Sequence, residues 1–306
     1  MSSNLKISEW FDIWYDSQTH IKQSTKSIYQ SYANKHLKPK MGTVRLKKLS
    51  RDLIQQFIDE LSIKLSPKTV RAVYSMLKLC LTVAYEKHLI GNVVDKICLP
   101  KTVSKDVKVL TKQEQKRLEQ VIEAENKEND IGILICLYTG IRIGELCALK
   151  WENINLDRKI MTIDKTMYSV QSNDGKCKTK IILSSPKSVN SERDIPIAEL
   201  LSEKLSKIQK SEGFVINRNG KYIEPAVYSR RYKKLLEKAG IEYMMFHSTR
   251  HTFSVRAREL GVDVQTLSEI LGHSSVSTTL NFYGHSLPEH KHNQMERIGG
   301  LFSQSK

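Results

Sequence analysis

Cysteine is scarce in this sequence. The five present (Cys80, Cys98, Cys136, Cys147 and Cys177) are an odd number and form no CxxC pair, so neither a zinc site nor a disulfide framework is expected. Cys80, Cys136 and Cys147 fall inside apolar helical patterns and read as core residues. No apolar run approaches the length of a spanning helix, and the opening "MSSNLKISEW" lacks the basic-then-apolar order of a signal peptide. The expectation is a cytoplasmic protein with no membrane partner. A Walker-type GxxxxGK[ST] is missing, as is the acidic cluster that a metal-dependent nuclease needs. Negative charge is also in short supply. Against 49 Lys+Arg stand 33 Asp+Glu, a net charge of +16, and a chain this basic points to a polyanion such as nucleic acid. The excess divides evenly, +8 in residues 1–100 and +8 in the remainder, so both parts are candidates for phosphate contact.

At 306 residues the chain exceeds a typical single domain, and two are expected. The first hundred residues read as four helices. "ISEWFDIWYDSQ" puts Ile7, Trp10, Phe11 and Trp14 on one face. "STKSIYQSYANKHLKPKMG" starts a helix at Ser24 or Thr25 and stops near Pro39 and Gly42. Ser50 caps a third, with Leu53, Phe57 and Leu61 spaced at four, and Ser66 with Pro67 opens a fourth that runs to about Gly91. "LPKTVSKDVKVLT" has no helical period and reads as a linker. A capping box from Thr111 to Glu114 then opens the second part. There, "DIGILICLYTGIRIGELCALKW" is two helices broken at Gly140. "KIMTIDKTM", "TKIILSS" and "ERDIPI" suggest a small antiparallel sheet, and helices return from Ala198 through Ile298.

Four stretches carry chemistry-bearing side chains. In "TGIRIGELCALKW", Arg142 follows a glycine turn at a helix start with Glu145 three residues on. An Arg fork held by an acid can grip a phosphate, though a surface ion pair looks the same. In "FHSTRHTF", His247 and Arg250 project together from a helix while His251 faces elsewhere. "SSPKSVNSERDIPI" reads as a β-hairpin with Lys187 at or near its turn; Lys180 lies on the same hairpin. "LGHSSVSTTLNFYGH" carries His273, Tyr283 and His285. For Tyr283 the plain alternative is a half-buried aromatic with a wet hydroxyl.

Taken in order, "TGIRIGEL", "SPKSVNSERDIPI", "HSTRHTF" and "LGHSSVSTTLNFYGH" resemble the motif series of the tyrosine recombinase (phage integrase) family, most like integrases of Gram-positive phages and conjugative transposons. "STKSIYQSY" and "HLKPKMGTVRLKKLS" resemble that family's helical core-binding domain. The resemblance implies a mostly α fold with a small antiparallel sheet (α+β). It implies a core-binding domain over 1–100, a linker over 101–108 and a catalytic domain with a C-terminal tail over 109–306.

The resemblance also implies roles. Tyr283 would attack a DNA phosphodiester to give a 3′-phosphotyrosine, with His247 as general base. Arg142 and Arg250 would clamp the non-bridging oxygens, Lys187 would protonate the leaving 5′-oxygen, and His273 would hydrogen-bond the phosphate. Glu145 would orient Arg142 or His247; His285 receives no role. No metal or other cofactor is required. Double-stranded DNA would be held by Lys35, Lys38, Lys40, Arg45, Lys47, Lys48, Lys64, Lys68 and Arg71, each of which alone is also an ordinary solubilising charge. Implied partners are other protomers in a DNA-dependent tetramer and accessory DNA-bending or directionality factors. The arm-binding domain of larger relatives is expected to be absent. The rival readings are a type IB topoisomerase and a non-catalytic DNA-binding relative.

Overall fold

The computed structural model describes residues 4–102, 108–171, 179–185, 192–273, 275 and 295–296. The chain divides into two compact units, one comprising Met1–Lys105 with Ser169–Lys180, the other Asp106–Tyr168 with Ile181–Lys306.

The first unit is built on helices. Helix α1 (Ile7–Ser17) buries Ile7, Trp10, Phe11 and Trp14, and the Trp10 indole donates to the Cys80 carbonyl at 3.0 Å. Helix α2 begins at Gln23 and runs to Tyr32. The helical run ends at Met41, just before Gly42, close to the expected stop. A π-helical turn over Ala33–Leu37 leads directly into α3 (Lys38–Met41), whose first turn contains Pro39. Proline lacks an N–H, and the first turn of a helix is where the missing donor costs least. Helix α4 (Arg51–Lys64) is capped by Ser50, whose hydroxyl accepts from the Leu53 amide. Its buried face is Ile54, Phe57, Ile58 and Leu61. Leu53, expected in the core, is exposed, because Ile54 is the residue that falls in line with Ile58 and Leu61. Helix α5 (Pro67–Glu86), capped by Ser66, ends five residues before Gly91 and buries Val70, Val73, Met76, Leu77 and Leu81.

In the second unit the Thr111–Glu114 capping box opens α6 (Lys112–Glu125). Helix α7 (Ile131–Thr139) is buried nearly all round, as its unbroken apolar run requires. It ends at Gly140, which adopts φ +68° and returns its amide to the Cys136 carbonyl at 3.0 Å. Helix α8 (Ile143–Ala148) follows at once. Strands β1 (Ile154–Asn155) and β2 (Ile160–Ile163) form an antiparallel pair, while β3 (Thr166–Gln171) pairs with β4 (Thr179–Ser184). Strand β5 (Arg193–Pro196) adds to β2, with Met161 opposite Ile195. The expected single sheet is thus two sheets: β4 and β5, the strands on either side of the expected 184–197 hairpin, belong to different sheets, and residues 186–191 between them lie outside the described residues. The burial pattern explains the split. β2 and β5 present Met161, Ile163 and Ile195 to the core, whereas no residue of β4 is fully buried.

Helix α9 (Glu199–Ser206) leads to a short β-ribbon that the sequence reading passed over, β6 (Asn217–Arg218) against β7 (Lys221–Tyr222). Helices α10 (Pro225–Lys238), α11 (Ser248–Glu259) and α12 (Val264–Leu271) complete the described fold. Helix α11 packs along α7. It is also tied to the start of the unit, where Leu110 donates to Thr252 Oγ1 at 3.0 Å and accepts from Arg256 at 2.7 Å. Among the described residues no helix is long and apolar enough to cross a membrane.

Gly140 allows a direct test of this architecture. A side chain there would face the left-handed backbone penalty of roughly 1–2 kcal/mol, and its Cβ would sit 2.5 Å from the Phe253 ring and 2.7 Å from Leu271. Gly140→Ala is expected to lower the urea midpoint by at least that equivalent without changing the denaturant slope; an unchanged midpoint would refute the packing described.

Candidate active site

Three arginines converge where α7, α8, α11, α12 and β5 meet, and main-chain carbonyls hold them there. Helix α12 starts with Asp263 accepting from the Thr266 amide and ends in a Schellman turn: Gly272, at φ +63°, donates to Glu269, and the His273 amide donates to Ser268. That turn leaves the last carbonyls without helical donors and at the negative end of the helix dipole. Each finds an arginine. Ile270 accepts from Arg193 Nε at 2.6 Å, Leu271 from Arg250 Nη2 at 2.8 Å, and Gly272 from Arg142 Nη2 at 3.1 Å. The carbonyl of Gly140, at the end of α7, takes Arg250 Nη1 at 2.8 Å.

Glu145 supplies the one carboxylate. It lies on α8, one turn after Arg142, and is 3% exposed. Its Oε1 accepts from Arg142 Nη1 at 2.7 Å. Its Oε2 accepts from the Arg142 amide and from Arg193 Nη2, both at 2.9 Å. Burial alone would raise its pKa. The charge and hydrogen bonds of Arg193, and then of Arg142, outweigh burial and leave it below the ordinary value.

Two histidines complete the cluster. His247 immediately precedes α11 and keeps an edge open to solvent. His273 follows Gly272 and is partly buried. Both pKa values fall from 6.5 to about 4, because surrounding protein displaces water and nearby cations repel a proton. The repelling groups are His251, then Arg250 and Arg142, for His247, and Arg250, Arg142 and Arg193, then His247, for His273. His251 does not face away. One turn after His247, its ring meets that ring edge-on with centroids 4.6 Å apart, as the i, i+4 relation on a helix dictates.

Of the sequence candidates, Arg142, Glu145, His247, Arg250 and His273 are therefore brought together. Lys187, Tyr283 and His285 lie outside the described residues. Lys180 is exposed on β4. Arg193 was missed, although a signal existed. It stands two residues before the buried Ile195 on a strand, and so on the same inward face; an inward arginine requires partners. Among the described residues no group of three or more His, Cys, Asp or Glu is placed to hold a metal ion.

In the first unit, Lys38 is held by Asp12 at 2.7 Å and Lys40 by Glu60. Arg71 donates to the Pro100 carbonyl. Lys35, Arg45, Lys47, Lys48, Lys64 and Lys68 are exposed.

Residues 108–290 match the protein family described as "Phage integrase family", and residues 6–62 match "Phage integrase, N-terminal SAM-like domain". The chain is 29% identical over 264 residues to "Tyrosine recombinase XerC-like" of Caldanaerobacter subterraneus, an alignment covering 78% of this chain and 67% of that one. It is 26% identical over 302 residues to "ICEBs1 integrase" of Bacillus subtilis, covering 94% and 79%. In fold it is similar to the Tn1549 transposon integrase in complex with a circular intermediate DNA (TM-score 0.79, 19% identity, 96% of this chain and 99% of that one). It is also similar to a lambda integrase dimer bound to a COC' core site (TM-score 0.68, 18% identity, 90% and 97%).

The histidines give a pH prediction. In the unfolded chain each binds a proton near its ordinary pKa, whereas in the folded unit each stays neutral down to about pH 4. Between these limits the unfolded state carries more protons, so stability falls as pH drops from about 6.5 towards 4. NMR titration of the free protein is expected to place both imidazoles near 4; midpoints near 6.5 would contradict the electrostatics of the cluster.

Proposed function

We propose, on the premise that the chain belongs to the phage integrase family, that it is a site-specific DNA recombinase. It cleaves and rejoins DNA strands through a 3′-phosphotyrosine, integrating or excising a mobile element. The observation that carries this reading is the cluster of three arginines around one buried carboxylate, flanked by two neutral histidines. It is a cationic bowl whose donors are fixed before substrate arrives, which is how charge developing on a phosphate is best stabilised.

Tyr283 is the nucleophile of this scheme. Its phenol, with an ordinary pKa of about 10, gives its proton to His247, which is neutral at pH 7 and can accept it. The phenolate oxygen forms a bond to phosphorus as the bond to the 5′-oxygen breaks, and Lys187 delivers a proton to that leaving oxygen. Arg142 and Arg250 hold the non-bridging oxygens, His273 hydrogen-bonds to one of them, and Glu145 orients Arg142. Rejoining is the reverse attack by a 5′-hydroxyl of a partner duplex, so the phosphotyrosine conserves the energy of the broken bond. The cationic side chains do the electrostatic work, and the scheme calls on no cofactor.

The domain scheme follows the same reading: residues 1–100 bind core DNA, 101–108 link, and 109–306 catalyse. DNA contact by the first unit rests on Lys35, Arg45, Lys47, Lys48, Lys64 and Lys68, which are exposed, with Lys38, Lys40 and Arg71 already engaged in the protein. Exchange between two duplexes needs four protomers, assembled as a tetramer on DNA in the cytoplasm, with accessory DNA-bending or directionality factors deciding the direction.

A nicked suicide substrate tests the nucleophile. The wild-type protein is expected to accumulate a covalent protein–DNA adduct and Tyr283→Phe to form none; an adduct in the variant would move the nucleophile elsewhere. For the acid, Lys187→Ala is expected to cleave slowly on ordinary DNA and to recover on a 5′-bridging phosphorothiolate, whose sulfur leaves without a proton. Failure to recover would remove Lys187 from that role.

A further inference from the structure

Arg193 lies within "SPKSVNSERDIPI" but has no role assigned by the motif series. It leaves β5, donates to Glu145 of α8 through Nη2 at 2.9 Å, and donates through Nε to the Ile270 carbonyl of α12 at 2.6 Å. It thus ties three elements together, and its side chain is only 7% exposed. Gly272 is fitted to it. A Cβ at 272 would lie 2.8 Å from Arg193 Nη1 and 3.0 Å from its Cδ. The residue just before His273 is therefore bare where the guanidinium passes.

Charge shows what this contact does. The cluster holds three guanidiniums against one carboxylate, so Arg193 cancels Glu145 and leaves Arg142 and Arg250 in surplus for a doubly anionic transition state. Without Arg193, Arg142 would be the guanidinium left on Glu145 among the described residues and would spend its charge inside the protein. The last turn of α12, which aims His273, would lose its tie to β5.

We propose that Arg193 is a positioning residue for DNA cleavage, which neutralises Glu145 so that Arg142 is available to the scissile phosphate and anchors the turn that presents His273. This rests on the reading of the cluster as the cleavage site. Among the described residues, the charged and titratable groups that act on His273 include Arg250, Arg142, Arg193 and His247, and those that act on His247 include His251, Arg250, Arg142 and Glu145. Removing Arg193 takes a positive charge from beside His273 and leaves Glu145 less compensated near His247, so both imidazoles should bind a proton more readily.

The test is single-turnover cleavage of the nicked substrate at saturating DNA, across pH, with DNA affinity measured in parallel. Arg193→Met is expected to slow cleavage on the order of 100-fold, the scale of a misplaced reacting group, with affinity little changed and the acid limb of the profile moved to higher pH. Arg193→Lys, which keeps the charge but not the fork, should recover part of the rate. Arg193→Met combined with Glu145→Gln removes the uncompensated carboxylate and should return the acid limb to its wild-type position. A cleavage rate in Arg193→Met equal to wild type would overturn the proposal. So would a loss that is uniform in pH and unrelieved by Glu145→Gln, since that is the mark of a merely structural residue. Absence of any adduct with wild type would instead sink the cleavage reading. Titration of His273 by NMR then decides the electrostatic claim alone: an upward shift in Arg193→Met supports it and an unmoved midpoint overturns it.

Discussion

Three consecutive carbonyls at the end of α12, those of Ile270, Leu271 and Gly272, each hold a different arginine. The arrangement solves two problems at once. A helix C-terminus buried in protein needs donors for its last carbonyls, and guanidiniums collected in one place need acceptors and negative potential. Because the acceptors are main-chain atoms, the arginines are registered to the backbone of the same turn that places His273. A shift of that turn therefore acts on all three arginines and on His273 together.

The cluster is costly by itself. Like charges gathered in a partly dry bowl repel, and a buried ion pair seldom repays its desolvation. Glu145 lowers the cost by engaging Arg142 and Arg193 with both oxygens. The histidines lower it by staying neutral, their pKa values pushed to about 4. The remaining strain is electrostatic, and on the proposed function an incoming phosphate relieves it. On the same reading, an anion seated between Arg142 and Arg250 would offset their share in lowering the His247 pKa, which burial and His251 lower as well.

Much of this was legible in the sequence where the physics is local. Caps at Ser50, Ser66 and Thr111 were readable because a hydroxyl three residues before an amide is a short-range signal. The pairing of Arg142 with Glu145 was readable for the same reason. What escaped depends on distant partners. The 184–197 stretch reads as a hairpin, but its second strand, β5, is claimed by β2, thirty-odd residues back, whose Met161 and Ile163 need cover. Arg193 looks like one charge among many until β5 is turned inward. His251 was misjudged on a local rule, since residues one helical turn apart share a face.

The same geometry explains why these three positions carry arginine and not lysine. Each guanidinium joins two acceptors through different nitrogens. Arg142 spans Glu145 and Gly272, Arg193 spans Glu145 and Ile270, and Arg250 spans Gly140 and Leu271. A planar fork held at two points has its orientation fixed, so its charge and remaining geometry are set before a phosphate arrives. An ammonium is a point charge on a flexible stem. It could satisfy one acceptor well, but it would not define a plane, and the carbonyl left over would be buried without a donor. Lysine suits a different task, a group that must give up a proton to a leaving oxygen. A residue with that task has to be titratable and mobile, the two properties that the arginines of the bowl are built to avoid.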